Sequence, residues 1–290
     1  MNISMMKSAM KVTKMSPLVG AEVTGVDLTK PLEGETQQKL NKALVDNIAL
    51  VIRDQKFTAK KFYEAGSLFG EPMERDYSEY NIPDAPFVHQ ISSHDRNKDN
   101  SLKKTGPKWH TDHANHEYPP KYTTLYALEL FRTGGGSTGI ANTRAAYDAL
   151  PEDLKKRIDG MKTVNVIAGS ASKDINSDRL AWQAKANPEP VIQPLVRTNA
   201  DTGKKAIYFH PGRVENIVGM SPEDSHKLLE ELLERALKPE FIYNHQWKLG
   251  DMLIWDNRSA LHRANYDYDV TDMTQQRLMY RMLVKGERPV

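Results

Sequence analysis

The pattern of apolar and polar residues along this chain predicts many short strands and few helices. Residues 20–28 (GAEVTGVDL) alternate in character with the period of two that is typical of a strand with one buried face. Further strands are predicted by short apolar or alternating runs at residues 48–52, 87–91, 122–131, 191–198, 204–209, 241–247, 252–255 and 277–284. This series favours a closed or double-sheet β architecture over a repeated βαβ unit.

The remaining apolar pattern predicts helices, of which residues 221–238 form the clearest. Ser221 is a typical N-cap, Pro222 suits the first helical position, and Asp224 is placed to complete a capping box. The apolar stripe that we expect to pack in the core consists of Leu228, Leu229, Leu232, Leu233 and Ala236. Shorter helices are predicted at residues 35–47, after an N-cap at Thr58, and at residues 142–150 and 151–158.

Two long polar segments interrupt this pattern. Residues 92–108 and 168–190 lack periodicity and carry few apolar side chains, so we expect both to be surface loops. The first segment could be a lid that orders over a bound ligand or an ordinary variable loop. The methionine-rich first fifteen residues are predicted to be a disordered leader, followed by a single domain at residues 16–290.

Composition limits the classes of protein that the chain can be. With 290 residues, 39% of them hydrophobic and 27% charged, it is typical of a soluble globular protein. A formal net charge of +2 gives no indication of nucleic-acid binding. The absence of cysteine excludes disulfides and thiolate metal sites, so a metal would need histidine or carboxylate ligands. Because no apolar run resembles a signal peptide or a membrane span, we expect a cytoplasmic protein.

The motif WHTDH at residues 109–113 carries the first candidate chemistry. His110 and Asp112 are two residues apart, so on a strand they would point to the same face. With a second, distant histidine they would form three ligands that leave positions open on octahedral Fe(II). Taken alone, the pair is weak evidence, because a hydrogen-bonded histidine and aspartate at a strand end would look the same.

His113 and His116 suggest an alternative, a three-histidine zinc cluster with His110. On a strand, however, His113 would point away from His110, and the prolines at residues 119–120 would stop a following helix. The zinc alternative is therefore disfavoured. His210, which precedes a Pro-Gly pair, could line a pocket.

Four segments form a joint pattern: WHTD at residues 109–112, GGGST at 134–138, WDNRSALHRA at 255–264 and QRLMYR at 276–281. This pattern resembles the taurine dioxygenase/2,4-dichlorophenoxyacetate dioxygenase (TauD/TfdA) family of Fe(II)/2-oxoglutarate oxygenases. The resemblance extends from Gly20 to Arg281. It implies a mainly β fold with flanking helices, a double-stranded β-helix (jelly-roll) barrel. It also implies Fe(II), 2-oxoglutarate and O2 as cofactors.

The resemblance assigns expected roles to particular residues. His110, Asp112 and His262 match the family's metal ligands, and these are the catalytic residues that we expect. Arg277 matches the arginine that binds the distal carboxylate of 2-oxoglutarate, for which a guanidinium fork is well suited. Thr138 matches the hydroxyl that assists this arginine, and the glycine run before it is predicted to be a tight turn.

Arg281 is the candidate for substrate recognition. It lies four residues beyond Arg277, so on a strand the two arginines would share a face. Because 2-oxoglutarate has one distal carboxylate, a second arginine in the cavity would be an unpaired buried cation unless a substrate anion met it. Tyr77 and Tyr80 could line the substrate pocket or lie on the surface. Gly106 stands where taurine dioxygenase carries an asparagine, which argues against taurine itself as the substrate.

The resemblance implies oxidation, most simply hydroxylation, of a C–H bond in a small anionic substrate such as a carboxylate or sulfonate, with release of succinate and CO2. Desaturation or oxidative decarboxylation of an amino-acid-derived carboxylate is an alternative with the same cofactors. A catalytically silent jelly-roll binding protein and a zinc hydrolase are alternatives of other classes. We expect a small-molecule partner, no nucleic acid, no membrane and a homo-oligomer.

Overall fold

The computed structural model describes residues 10–74, 81–97, 100–167 and 189–290. The strands in these ranges are β1 (Lys11–Lys14), β2 (Ala21–Thr24), β3 (Ala49–Ile52), β4 (Asn81–Ile82), β5 (Ala85–Ser92), β6 (Tyr122–Glu129), β7 (Thr138–Asn142), β8 (Lys162–Asn165), β9 (Val191–Pro194), β10 (Val196–Thr198), β11 (Lys205–Ile207), β12 (Val214–Ile217), β13 (Ile242–His245), β14 (Met252–Asp256), β15 (Ala260–Ala264) and β16 (Leu278–Val284). The helices are α1 (Gly34–Asn47), α2 (Ala59–Ser67), α3 (Thr143–Asp148), α4 (Glu152–Ile158), α5 (Pro222–Ala236) and a 3-10 helix at Pro239–Phe241. The predicted mainly β fold with flanking helices is confirmed.

Strands from both ends of the chain meet in the largest sheet. Its order is β1-β2-β3-β14-β6-β16-β5-β4, and its neighbours are antiparallel except for the parallel pair β2 and β3. A second sheet has the order β13-β7-β15 and carries Thr138 and His262. Two further sheets have the orders β12-β8-β9 and β10-β11.

The core lies on both faces of the largest sheet. Alternate residues of β3 and β14, including Leu50 and Ile254, pack with α1 and α2. The intervening residues, including Val51 and Leu253, face the second sheet and pack with Ile140 of β7. Because both faces are covered, residues 48–52 are apolar without alternation.

The predicted helices are confirmed, and two N-caps form as expected. The Thr58 hydroxyl accepts a hydrogen bond from the backbone N–H of Lys61, and the Ser221 hydroxyl accepts one from Asp224. The Asp224 carboxylate accepts from the Ser221 hydroxyl at 2.8 Å, in place of the backbone N–H that a capping box would use. No helix in the ranges that the structure describes is long and apolar enough to cross a membrane.

The structure corrects part of the predicted disordered leader, of which residues 1–9 lie outside the described residues. Residues Lys11–Lys14 form β1, an edge strand whose backbone pairs with β2 from Lys11 opposite Thr24 to Lys14 opposite Ala21. All four side chains of β1 are exposed, so backbone hydrogen bonds hold the strand in place. The sequence of β1 therefore has no buried apolar positions from which a strand could be predicted.

The predicted hairpin over residues 191–209 is confirmed only in part. Strands β10 and β11 pair as expected, with Thr198 opposite Lys205. Strand β9, however, ends at Pro194 and pairs with β8 in another sheet. The hydrophobic pattern had merged two strands that belong to different sheets.

Arg258, in the segment between β14 and β15, is the centre of a buried polar network. Its side chain is 1% exposed, and its Nε and Nη2 donate to the two carboxylate oxygens of Asp256, each at 2.9 Å. Nη2 also lies 2.7 Å from Oδ2 of Asp201 and donates to the Tyr122 hydroxyl at 3.1 Å. The network joins β14, β6 and the loop after β10, next to the strand that carries His262.

We expect Arg258→Met to lower the free energy of unfolding by about 3–5 kcal/mol, because the buried Asp256 carboxylate loses its cation. Equilibrium urea denaturation measures this change. The control is Arg235→Met, which removes an exposed ion pair with Glu231 on α5 and should change stability by less than about 1 kcal/mol. Equal losses in both variants would contradict a stabilising role for the network.

Candidate functional site

The two candidate histidine ligands are joined by their backbones. The N–H of His110 donates to the carbonyl of His262 at 3.0 Å, and the N–H of His262 donates to the carbonyl of His110 at 2.8 Å. Directly opposed residues of an antiparallel pair place their side chains on the same face. The two imidazole rings are therefore adjacent, with centroids 4.1 Å apart.

Asp112 completes a cluster of three side chains. Its Oδ1 lies 3.9 Å from Nε2 of His110, and its Oδ2 lies 3.7 Å from Nε2 of His262. One ligand atom from each residue falls within 4.8 Å of the others, and the ranges that the structure describes contain no second group of this kind. The two ligands are not on a common strand, the case considered from the sequence, because only His110 is paired and Asp112 begins a turn.

Contacts behind the histidines fix how they face the centre of the cluster. Nδ1 of His110 lies 2.8 Å from the carbonyl of Lys108, so Nδ1 carries the proton and the lone pair of Nε2 is free. The ring of His262 packs on Trp255 with centroids 4.5 Å apart. Gly106 has a φ of +64°, and a Cβ there would lie 2.8 Å from Cε1 of His110. The imidazole therefore occupies the space that a side chain at residue 106 would need.

Asp112 is held by a chain of hydrogen bonds that sequence reasoning missed. Thr123 on β6 donates its hydroxyl to Oδ2 of Asp112 at 2.6 Å. The Thr123 oxygen accepts from Nδ2 of Asn257 at 2.8 Å, and Oδ1 of Asn257 accepts from the Trp255 indole at 3.1 Å. The WDNR motif thus supports the carboxylate from behind.

The protonation states suit a metal site. Burial lowers the pKa of His110 and lowers that of His262 further, so both imidazoles are neutral near pH 7. Burial alone would raise the pKa of Asp112, but Arg281 and the two histidines hold it well below its ordinary value. Two neutral imidazoles and one carboxylate are the form in which these groups bind a divalent ion.

The structure corrects the expectation that Arg281 would be unpaired without a substrate. Its Nη2 lies 2.6 Å from Oδ2 of Asp112, and its side chain is almost completely buried. The register of β16 against β6, with Arg281 opposite Leu125, brings the guanidinium to the carboxylate.

Arg277, in contrast, has no carboxylate partner among the described residues. Its Nε is buried without a hydrogen-bond acceptor, and burial lowers its pKa to about 10. It borders a small cavity with Tyr266 and Tyr268. A shift of register between Leu278 and Met279 separates it from Arg281, and the two arginines have different surroundings. Arg277 is thus a partly buried cation that lacks a carboxylate partner among the described residues.

The glycine run before Thr138 lies beside Arg277. Gly134, Gly135 and Gly136 all have positive φ, which forms the predicted tight turn. A Cβ on Gly136 would lie 2.8 Å from Cδ of Arg277, so the glycine allows the arginine to approach. The Thr138 hydroxyl, at the start of β7, accepts a hydrogen bond from the Trp247 indole at 3.1 Å.

Other residues near the cluster carried little sequence signal. The ring of His210 lies 5.6 Å from that of His110, which places it at the cluster as the sequence suggested. Arg213 donates to Oδ1 of Asn115 at 2.6 Å, and its charge lowers the pKa of His110, His113 and His210. A positive side chain in a turn resembles any surface arginine in the sequence, so Arg213 was missed.

The structure tests the zinc alternative, but it does not test the predicted tyrosine contacts or the predicted lid. His113 contacts His116 at 3.3 Å between ring nitrogens, and the cluster of possible ligands contains neither. The zinc alternative therefore gains no support. Tyr77, Tyr80 and most of the second polar segment lie outside the described residues. The closing of residues 92–108 over a ligand stays a prediction.

Comparisons with known proteins agree with this geometry. The family model described as "Taurine catabolism dioxygenase TauD, TfdA family" matches residues 11–283. The chain is 31% identical over 293 residues to the (S)-phenoxypropionate/alpha-ketoglutarate-dioxygenase of Sphingobium herbicidovorans, covering 97% of each protein. It is 30% identical to an alkylsulfatase of Acinetobacter baylyi, covering 96% of this chain and 86% of that protein.

Solved structures show the same fold. A taurine dioxygenase from Burkholderia xenovorans superposes with a TM-score of 0.80 at 30% identity, covering 97% of this chain and 91% of that one. AAD-2 in complex with Mn(II) and N-oxalylglycine gives a TM-score of 0.78 at 27% identity, covering 97% and 99%. The predicted jelly-roll architecture is confirmed by these neighbours. The match to the family over nearly all of its length shows that the chain belongs to the TauD/TfdA family of Fe(II)/2-oxoglutarate-dependent dioxygenases.

Proposed function

We propose that the protein uses Fe(II), 2-oxoglutarate and O2 to oxidise a C–H bond of a small anionic substrate, most simply by hydroxylation, with release of succinate and CO2. The observation that carries this proposal is the convergence of His110, Asp112 and His262, with their ligand atoms within 4.8 Å of one another. Three such ligands leave the other octahedral positions open, as a non-haem Fe(II) oxygenase requires.

His110 and His262 would offer their Nε2 atoms to the iron, and Asp112 would offer a carboxylate oxygen. Bound iron with its cosubstrate supplies the oxidising chemistry. The chain itself orients the ligands: the Lys108 carbonyl fixes the tautomer of His110, and Thr123 fixes the carboxylate of Asp112.

Arg277 and Thr138 are the residues that we assign to the distal carboxylate of 2-oxoglutarate. The buried Nε of Arg277 has no hydrogen-bond acceptor, which is unfavourable, and a carboxylate would pair with the guanidinium through two parallel hydrogen bonds. The Thr138 oxygen accepts from Trp247, so the threonine keeps its own O–H to donate.

Arg281 is assigned to the anionic group of the substrate, and Arg213 is proposed as a second cation for it. One guanidinium has five N–H donors, so its bond to Asp112 leaves others to meet a substrate. The names of the relatives include a phenoxypropionate dioxygenase, an alkylsulfatase and a sulfate ester dioxygenase, which favours a carboxylate or sulfate ester here. We also propose Tyr77 and Tyr80, which lie outside the described residues, as substrate contacts.

Two further expectations belong to this proposal. The protein would act in the cytoplasm as a homo-oligomer, without nucleic acid or membrane. Desaturation or oxidative decarboxylation of the substrate would use the same residues, since the three reactions share the cofactors. A catalytically silent binding protein would not need a cluster whose ligands are held in the form that binds metal.

A screen of aryloxyalkanoates, alkyl sulfates and sulfonates, scored by succinate formed with Fe(II) and 2-oxoglutarate, tests the function. We expect at least one class to raise succinate formation well above the substrate-free rate, and His262→Ala to abolish this increase.

Anaerobic Fe(II) plus 2-oxoglutarate should give a visible charge-transfer band in the wild type, which His262→Ala lacks and His226→Ala on α5 keeps. A band that persists in His262→Ala would refute the ligand assignment.

Thr123→Val should weaken Fe(II) binding by about 10–100-fold, because the hydroxyl that orients Asp112 is lost while side-chain volume is kept. Isothermal titration under anaerobic conditions measures the affinity. The neighbouring Thr124→Val is the matched control. Its hydroxyl donates to the Met282 carbonyl at 3.1 Å, so Fe(II) affinity should not change. Equal affinities in the two variants would contradict the role of Thr123.

Arg277→Ala should raise the 2-oxoglutarate concentration needed for half-saturation by at least about 30-fold, because a buried charge-assisted contact is lost. Arg281→Ala should leave that requirement within a few fold while abolishing substrate-dependent turnover. Titration of 2-oxoglutarate with and without substrate distinguishes these effects. If Arg281→Ala weakens 2-oxoglutarate binding as much as Arg277→Ala does, the assignment of one arginine to the cosubstrate and the other to the substrate is incorrect.

A further inference from the structure

Trp247, which follows β13, contacts both residues assigned to the cosubstrate carboxylate. Its indole Nε1–H donates to the Thr138 hydroxyl at 3.1 Å. The guanidinium carbon of Arg277 lies 5.6 Å from the centre of its ring, within cation–π range. Thr138 lies in the second sheet, and Arg277 directly precedes β16 of the largest sheet, so one side chain links two parts of the proposed subsite.

His245 holds Trp247 in position from behind. Its ring meets the Trp247 ring edge to face, with centroids 4.6 Å apart, and it lies directly opposite Thr138 in the pairing of β13 with β7. His245 is completely buried, with Nε2 3.1 Å from Oδ2 of Asp251 and Nδ1 3.2 Å from the Tyr243 hydroxyl. Burial lowers its pKa, so the neutral ring donates to Asp251 and accepts from Tyr243. The ring therefore has one orientation.

Asp251 anchors the turn that follows Trp247. Its Oδ2 also accepts from Nη1 of Arg53 at 2.5 Å and from the backbone N–H of Lys248 at 2.8 Å. Arg53 in turn donates to Glu22 on β2 at 2.8 Å. The indole is thus fixed on the side of His245 and on the side of the turn, by groups that are not metal ligands.

The indole N–H has a directional effect on Thr138. A threonine hydroxyl can donate one hydrogen bond, and it can rotate unless a neighbour fixes it. Because the indole N–H points at the oxygen, the Thr138 proton must point elsewhere. Arg277 contacts the same indole, and its buried Nε has no acceptor, so an anion bound between Thr138 and Arg277 would receive both donors.

We propose that Trp247 is a positioning residue for the distal carboxylate of 2-oxoglutarate. Its N–H orients the Thr138 hydroxyl as a donor, and its ring face supports the Arg277 guanidinium. The inference rests on the proposed function, because it takes Thr138 and Arg277 as the cosubstrate contacts.

The test compares Trp247→Phe, which keeps a ring but loses the donor, with Trp247→Leu, which loses both. We expect the Kd of 2-oxoglutarate for the anaerobic Fe(II) protein to rise about fivefold in Trp247→Phe. In Trp247→Leu we expect a rise of about 20-fold. The Kd of Fe(II) should not change, and kcat at saturating 2-oxoglutarate should change much less than KM. Lys248→Ala, which keeps the backbone N–H to Asp251, is the control and should behave as wild type.

A double-mutant cycle with Thr138→Val separates positioning from general packing. If Trp247 acts through the Thr138 hydroxyl, Trp247→Phe should add little to the Kd in the Thr138→Val background. The inference is overturned if Trp247→Phe binds 2-oxoglutarate as tightly as wild type, or if its effect adds in full to that of Thr138→Val. A normal Kd in Arg277→Ala would instead refute the cosubstrate assignment of the proposed function.

One measurement needs no substitution. In the Zn(II)-loaded wild-type protein, the Trp247 indole N–H resonance should shift when 2-oxoglutarate binds, because the Thr138 oxygen becomes more electron-rich as its proton is donated. An indole resonance that stays unchanged at saturating 2-oxoglutarate would contradict the proposal even if the Trp247 variants failed to fold.

Discussion

Two backbone hydrogen bonds between His110 and His262 determine where the rest of the site can be. They join residues that are 262 − 110 = 152 positions apart, and they set both imidazoles on one face. A pairing shifted by one residue would turn one of the rings to the opposite face and separate the cluster. The contacts of Lys108, Trp255 and Thr123 then refine a geometry that the backbone has already fixed.

The three residues of the cluster could be predicted from the sequence, but the residues that hold the site in its geometry could not. His110, Asp112 and His262 belong to a long joint pattern, and each residue type has a narrow range of chemical uses. Thr123 lies in β6 and Trp247 lies just after β13, in segments where threonine and tryptophan are common for reasons of packing. Both residues take part in contacts with distant residues, Thr123 with Asn257 and Trp247 with Thr138, which local pattern does not encode.

The two arginines near β16 show the same limit in electrostatic terms. Spacing predicts that Arg277 and Arg281 share one face of a strand. In the structure Arg281 is paired with Asp112, whereas Arg277 packs on Trp247 and has no carboxylate partner among the described residues. The difference arises from the irregular register between them, which changes what each guanidinium meets. The presence or absence of a carboxylate partner therefore says more about the function of each arginine than its charge does.

The position of β14 between β3 and β6 has a consequence for biosynthesis. While the chain emerges from the ribosome, β3 and β6 exist long before the strand that separates them, so each presents an unpaired edge. Contacts of such high sequence separation also make folding slow. His262 and both arginines follow β14 in the chain, so capacity to bind iron and cosubstrate would arise only after this strand has been inserted. A nascent protein that binds iron and cosubstrate would thus be one that has already reached its final topology.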